Sequence, residues 1–320
     1  MNRSKTMMSV DHSSSHQRLL PLLLLLLAVG LAGCSVSRYG PEMTPRLKPF
    51  PGYKTLSPAE REMADSMLTF ALDHEALYSL IGDIKSISQT GFIFADGLGK
   101  DSTDLDGQAI VVSPDQDSIR HFLDALEQWN RITKALSFGP YQFIIVPFRH
   151  TWNNRRHFQI TVCRTDLIDR LLSDRADFFA QWGFVSGTDP AVLVTAAEFE
   201  DPLDRYRAYG YLFGYPKHAV DFFVEAAREE KRTGEFVQRD FFQIPVHAKS
   251  SGYFTYAVPK GYQPVDQDSS LYYQGGAVLD KYRAMRPRYV DKNGRLNAVR
   301  LLKKYWKNVR HSILYMHNAP

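Results

Sequence analysis

Apolar residues recur every three or four positions through much of this chain, and that spacing predicts α-helices. The clearest helix ends near Gly139 and carries an apolar stripe made of Ile119, Phe122, Leu123, Leu126, Trp129, Ile132 and Leu136. Two capping boxes, Ser57–Glu60 and Ser113–Gln116, each place a proline at the first helical position. Capping boxes of this kind predict where two helices begin.

Alternation of apolar and polar residues predicts strands as well as helices. Residues 141–148 and 158–163 alternate on either side of a polar stretch, which predicts a β-hairpin. Further short strands are predicted within residues 236–246 and 253–258, each ending near a proline. Helices are predicted between and after these strands. The pattern therefore indicates an α+β fold that is mainly α, with short antiparallel strands and hairpins.

The register of the first hairpin determines which side chains share a face. Pairing Phe148 with Phe158, and continuing two residues at a time, buries apolar side chains on one face. This register predicts that His150 lies on that face and that His157 lies on the other. Two histidines on opposite faces cannot hold one metal ion, so no metal site is predicted here.

The amino terminus has the pattern of an export signal. Arg3, Lys5 and Arg18 precede an uninterrupted run of 14 residues, Leu19–Ala32, which is apolar apart from one proline and one glycine. A spanning helix needs about 20 apolar residues, so this run is short for a permanent anchor. Its length and basic flank are typical of a signal peptide.

The run ends in Leu31-Ala32-Gly33-Cys34, which resembles the lipobox of bacterial lipoproteins. That resemblance implies cleavage after residue 33 and acylation of Cys34, which then holds the protein on a membrane. Stable anchoring takes more than one acyl chain. Ser35 follows the cysteine, and in Gram-negative lipoproteins this resembles the pattern of proteins sent to the outer membrane.

Three segments follow from this reading. Residues 1–33 are the predicted signal peptide. Residues 34–56 contain the lipidated cysteine and several prolines, which predicts an extended tether. Residues 57–320 are predicted to form a single globular domain with basic C-terminal helices.

Charge and cysteine content narrow the possible partners. The leader takes three of the 39 basic residues and one of the 35 acidic ones, so the remaining chain is close to neutral. A nearly neutral domain with an export signal argues against a nucleic-acid partner. Cys34 and Cys163 are the only cysteines, so a lipidated Cys34 leaves Cys163 without a partner in the chain.

Two basic regions are candidate binding sites. Arg149 and Arg155 belong to the polar tip of the first hairpin, which can bind an anion or simply be solvated. Lys303, Lys304 and Lys307 belong to a basic amphipathic helix near the C terminus. Such a helix can lie on anionic headgroups, contact an envelope polyanion, or present a solvated basic face.

A run of aromatic residues gives a weaker indication of a groove. Tyr206, Tyr209, Tyr211, Phe213 and Tyr215 follow one another at short intervals. Tyrosine combines an apolar body with a polar tip, so these residues can line a groove or pack in a core.

Two functions remain open at this point. The first is a non-enzymatic, lipid-anchored cell-envelope protein that binds or scaffolds an anionic envelope component or an envelope protein. The second is an envelope hydrolase or transferase whose site is assembled from distant residues, the candidates being His150, Arg156, Cys163, His218 and Asp221. No intact catalytic motif favours the second function, and no cofactor is predicted.

Overall fold

The computed structural model describes residues 48–99, 102–103, 109–110, 116–152, 155–249 and 254–317. The predicted signal peptide, Cys34, the first part of the tether and the Ser113 cap lie outside these residues. Among the helices of the described ranges, none combines the length and apolar character needed to cross a membrane.

The described helices and strands alternate in groups along the chain. The helices are α1 (Pro58–Asp73), α2 (Leu77–Leu80), α3 (Gln116–Leu136), α4 (Thr165–Asp174), α5 (Ala176–Phe179), α6 (Pro190–Phe199), α7 (Pro202–Leu212), α8 (Lys217–Thr233), α9 (Asp266–Met285) and α10 (Ala298–His317). The strands are β1 (Ile87–Gly99), β2 (Ser102–Thr103), β3 (Ala109–Ile110), β4 (Tyr141–Trp152), β5 (Arg155–Arg164), β6 (Arg239–Ile244) and β7 (Phe254–Pro259). The α+β, mainly α prediction is confirmed.

Helix α1 begins at the predicted capping box. The Ser57 hydroxyl accepts the Glu60 N–H at 3.2 Å, and the Glu60 carboxylate accepts the Ser57 N–H at 2.8 Å. Glu60 also accepts a hydrogen bond from Arg131 of α3 at 2.8 Å. The Arg131 guanidinium, followed by the Ser57 N–H, holds the pKa of Glu60 at about 2. One carboxylate therefore caps α1 and ties it to α3.

The last residues of the predicted tether are folded. Residues Pro51–Thr55 form a 3-10 helix, and the flanking Phe50 and Leu56 are buried. Phe50 makes an edge contact with Phe138, with ring centroids 5.0 Å apart. The prediction of an extended tether is therefore wrong for residues 48–56, because proline is tolerated at a helix start and the two apolar side chains gain burial.

Strands β1, β5 and β4 form an antiparallel sheet in that order, and β6 and β7 form a separate hairpin. The hairpin of β4 and β5 was predicted, but its register was wrong by one residue. Pro147, and not Phe148, lies opposite Phe158, and the pairing shifts again before Thr151. Proline has no N–H for the ladder, and the regular pairing ends after Pro147.

An irregularity in β1 changes which side chains reach each face. Ser88 pairs with Val162, but Gly91 pairs with Ile160, so Thr90 is an extra residue in β1. An extra residue reverses the alternation of side chains beyond it. Phe92 and Phe94 consequently point to the same face as Gln159 and His157, their partners in β5.

The two faces of this sheet are covered differently. One face, called here the packed face, carries Phe143, Ile160 and Val162, which join the main core together with residues of α1, α3 and α10. The other, called the cleft face, carries Val146 and Cys163 at one end, packed against α4 to α8. At its other end stand Phe92 and Phe94, and both of these rings are about half exposed.

The C-terminal helix packs on the main core. Leu301, Leu302 and Tyr305 of α10 are buried, and the Asp65 carboxylate accepts the Val299 N–H at 2.9 Å at its start. The predicted amphipathic pattern of this helix is confirmed. Its apolar stripe faces α1 and the core, and Lys304 and Lys307 lie outside that stripe.

Candidate functional site: an aromatic cleft

A cavity of about 420 Å³ lies between the cleft face, helices α7 and α8, and the β6–β7 hairpin. Pockets of about 300–1,000 Å³ are typical of small-molecule sites. Aromatic rings form most of its wall: Phe148, Tyr206, Tyr209, Phe213, Tyr215, Phe223, Phe241 and Tyr256. Four of the five aromatic residues singled out in the sequence run line the cavity, and the fifth, Tyr211, is buried in the neighbouring core.

Two tyrosines of the wall direct their hydroxyls onto buried carboxylates. Tyr209 donates to Glu198 at 2.7 Å, and Tyr256 donates to Asp268 at 2.6 Å. Both carboxylates belong to side chains with 0% exposure. Burial, followed by the adjacent carboxylate, raises the pKa of each of these tyrosines. Their hydroxyl groups are thus engaged with carboxylates, and their rings present apolar carbon to the cleft.

Glu198 connects the wall of the cleft to the sheet. It accepts the backbone N–H of Arg149 at 2.8 Å and a guanidinium N–H of Arg205 at 3.0 Å. The Arg205 guanidinium lies 5.1 Å from the Phe148 ring centroid and 5.4 Å from that of Tyr209. The irregularity in β4 leaves the Arg149 N–H free to bond Glu198.

Asp268 performs the same role on the other side of the cleft. Besides Tyr256 it accepts Tyr262 at 2.6 Å and the Val265 N–H at 2.9 Å, and His218 lies 3.1 Å away. Burial alone would raise the pKa of Asp268, but the hydrogen bonds from Tyr256, Tyr262 and Val265 outweigh it and lower that pKa. Asp268 therefore remains an anion that joins α8, α9 and the β6–β7 hairpin.

The proposed catalytic candidates of helix α8 do not form an acid–base pair. His218 contacts Asp268 and Tyr262, whereas Asp221 is bonded by Arg207 and Lys217. Burial opposes ionisation of Asp221, but the bonds from Lys217 and Arg207 hold its pKa below the usual value. The two side chains therefore have separate partners, although they lie three residues apart on one helix.

Cys163 is enclosed in the core on the cleft face, with 0% exposure. Burial, followed by the charge of Asp189, raises the pKa of its thiol well above the usual value. A thiol in this environment is not a reactive nucleophile. Cys163 therefore serves as a small buried side chain of the core.

The hairpin tip brings two histidines to one aromatic ring, contrary to the prediction. The Phe148 ring lies 4.6 Å from that of His157 and 6.3 Å from that of His150. Placing them on opposite faces was wrong, because the register differs and β4 is irregular between Pro147 and Thr151. Within the described residues, no group of three or more His, Cys, Asp or Glu is arranged to hold a metal ion.

The five catalytic candidates are thus not gathered in one cleft. Cys163 is closed off from solvent, Asp221 is neutralised by two cations, and His218 is held by Asp268. Arg156 donates to the Phe148 carbonyl at 3.0 Å, and His150 is exposed beside it. A hydrolase or transferase site built from this set is not formed.

The predicted basic residues fall in two places. Arg149 follows Phe148 in β4, Arg156 donates to the Phe148 carbonyl from β5, and the side chain of Arg155 lies outside the described atoms. On α10, Lys304 and Lys307 are exposed, and the Lys303 ammonium lies 4.6 Å from the Tyr53 ring centroid. Burial, followed by the neighbouring Lys54 charge, lowers the pKa of Lys303.

Sequence reasoning missed Glu198 and Asp268. Glu198 lies in a helix two residues before another glutamate, and Asp268 lies in a polar stretch at a helix start. Neither has a local motif that separates it from a solvated carboxylate. Only the aromatic run 206–215 pointed to this region.

Searches against known protein families, curated proteins and solved structures found no match to this chain.

Proposed function

We propose that this protein is a lipid-anchored cell-envelope lipoprotein that binds an apolar ligand in the aromatic cleft without transforming it. The cleft carries this proposal: aromatic rings form most of the wall that a ligand meets, and the hydroxyls of two of its tyrosines, Tyr209 and Tyr256, are committed to buried carboxylates. Apolar surface removed from water on binding contributes about 25 cal/mol per Å². A buried hydrocarbon chain is therefore the ligand that this wall suits best.

The anchor part of the proposal rests on Leu31-Ala32-Gly33-Cys34. Acylation of Cys34 would hold the domain at a bilayer, and at the outer membrane if the source is Gram-negative. Cys34→Ala is expected to leave unlipidated precursor. Mass spectrometry that finds Cys34 unmodified in the native protein, with the leader attached, would refute the anchor.

The binding part is tested with a photoreactive hydrocarbon. Isolated membranes containing the full chain are titrated with diazirine-bearing hexadecanol and irradiated, and adducts on residues 203–223 are quantified by mass spectrometry. We expect saturable labelling of this segment, because it supplies one wall of the cleft.

Two exposed phenylalanines give a matched pair of variants. Phe241 lines the cleft and is 58% exposed, whereas Phe236 is 64% exposed and is not part of the wall. Phe241→Asp places a charge against the bound chain and is expected to raise the half-labelling concentration about tenfold or more. Phe236→Asp is expected to leave it unchanged. Equal effects of the two variants would refute binding in the cleft.

A further inference from the structure

One side of helix α10 carries charge of a single sign. The helix contains five Lys or Arg residues and neither Asp nor Glu. Lys303, Lys304 and Lys307 lie three, four and seven residues after Arg300, so the four side chains share one side of the helix. Lys303 is partly buried, and the other three are exposed. Within the described ranges, no carboxylate lies at ion-pair distance from any of the four. Their positive charges are therefore not neutralised by the protein.

The 3-10 helix Pro51–Thr55 lies against this basic stripe. The Lys303 ammonium is 4.6 Å from the Tyr53 ring centroid, and the charge of Lys54 acts on Lys303. Lys54 is exposed and, like the stripe, has no carboxylate partner among the described residues. Lys54 therefore adds a fifth positive charge to the stripe. We call these five residues the basic face: Lys54, Arg300, Lys303, Lys304 and Lys307.

The chain enters the domain beside the basic face. Lys48 is the first described residue, and Phe50 is buried with its ring centroid 5.0 Å from that of Phe138. The Phe138 ring in turn lies 6.3 Å from that of Trp306 in α10. From Cys34 to Lys48 the chain makes 48 − 34 = 14 residue steps, which span at most about 50 Å. An acylated Cys34 would thus keep this side of the domain close to the bilayer.

We propose that the basic face rests on anionic lipid headgroups of the bilayer that holds Cys34. This inference rests on the proposed function, because it requires the lipid anchor. Lys and Arg residues close to an anionic membrane add to the attachment that acyl chains provide. The contact would fix which side of the domain faces the lipid.

The layout of the charges favours a surface over a small anion. From Arg300 to Lys307 the charges extend along the helix axis for about 10 Å, on its solvent side. A single phosphate is recognised by several donors that converge on one point. The basic face instead spreads its charges along a line, as a layer of headgroups requires.

The experiment measures lysine exposure on vesicles. The full lipidated chain is reconstituted into vesicles of phosphatidylcholine alone, or of phosphatidylcholine with an equal amount of phosphatidylglycerol. A water-soluble amine-acylating reagent is added, and the rate of modification at each lysine is measured by mass spectrometry. Lys231 in α8 and Lys260 after β7 are exposed and serve as internal controls.

We expect modification of Lys54, Lys304 and Lys307 to slow about threefold or more on the anionic vesicles, because the headgroups exclude the reagent and keep the ammonium groups protonated. The rates at Lys231 and Lys260 should not change. High salt should remove the difference between the two vesicles, since it screens exposed charges.

Two double variants with the same change in net charge test the basic face directly. Lys304→Glu with Lys307→Glu is expected to abolish the protection of Lys54 on anionic vesicles. Lys231→Glu with Lys260→Glu should leave that protection intact. If Lys54 stays protected in the first variant, or loses its protection equally in both, the basic face is not the contact.

The remaining outcomes separate this inference from the proposed function. If the chain floats with both vesicles and its lysines react equally on both, the basic face is refuted while the anchor stands. If the chain does not float with the neutral vesicles, the anchor itself fails. Protection by soluble polyphosphate, with none on anionic vesicles, would identify an envelope polyanion as the partner and would overturn the membrane contact.

Discussion

The two faces of the three-stranded sheet are built from the same strands, but the cleft end of one face is stabilised differently from the packed face. On the packed face, Ile160 and Val162 are surrounded by helices and contribute through apolar burial. At the open end of the cleft face, a network around the buried carboxylate of Glu198 bonds the strand next to Phe148 and holds Tyr209 of α7. Hydrogen bonds to the buried carboxylate hold this wall in place, so its aromatic rings need no apolar cover. An apolar cleft can therefore exist in a stable fold.

The largest effect is expected where the cleft face loses its carboxylate. Glu198→Ala leaves the nearly buried Arg205 without its carboxylate partner. Removal of one member of such a pair lowers the free energy of unfolding by about 3–5 kcal/mol. This loss is measured by urea titration of the full chain, with the unfolded fraction at each urea concentration detected by proteolysis. Asp221→Ala is the control, since its partly exposed pairs should contribute about 1 kcal/mol or less. Equal losses would show that Glu198 is not a structural support.

The packed face is tested by removing apolar volume. Ile160 has 0% exposure, and Ile160→Ala should cost about 2–5 kcal/mol by the same assay. Phe94→Ala, on the exposed end of the cleft face, should cost less than about 1 kcal/mol although more atoms are removed. A larger loss for Phe94→Ala would contradict the description of that end as uncovered.

Asp268 also makes the cleft sensitive to acid. The pKa of Asp268 is lower in the folded protein than in the unfolded chain, so the unfolded chain binds more protons as the pH falls below about 5. The stabilisation by Asp268 is therefore present at neutral pH and is lost as the pH falls through the folded pKa. Asp268→Asn should be less stable than the unmodified protein at pH 7, and the difference should shrink towards pH 3. A difference that is constant with pH would contradict the ionised state.

The smallest change in stability is expected from substitutions in α10. Lys304→Glu together with Lys307→Glu changes two exposed charges far outside the wall of the cleft, and surface substitutions usually alter stability by about 0.5 kcal/mol or less. Labelling of the cleft by hexadecanol should be unchanged. A loss of cleft labelling would mean that the basic helix takes part in binding the ligand.

Local signals predicted the parts of the fold that depend on neighbouring residues. The Ser57–Glu60 capping box and the apolar stripe of α3 specify helices within a few turns of chain, and both were recognised. The register of β4 and β5 was off by one residue, because Pro147 and the irregularity after it are resolved only by packing. Apolar alternation alone does not show where a ladder is interrupted.

Local sequence patterns predict little of the cleft. Its wall combines residues from β4, α7, α8 and β7, and the supporting carboxylates, Glu198 and Asp268, lie 70 residues apart in the chain. His218 and Asp221 lie three residues apart on one helix, but the fold gives His218 a partner in α9. Side chains that act together across such separations have no sequence pattern in common.

The distribution of hexadecanol adducts over the two faces tests the central claim most directly. A second apolar groove, lined by Met63, Met67 and Trp129, lies beside the packed face and offers the probe an alternative. We predict saturable adducts on residues 203–223 and no saturable labelling at Met63, Met67 or Trp129. Saturable labelling of that groove, with residues 203–223 unlabelled, would contradict the assignment of binding to the cleft face.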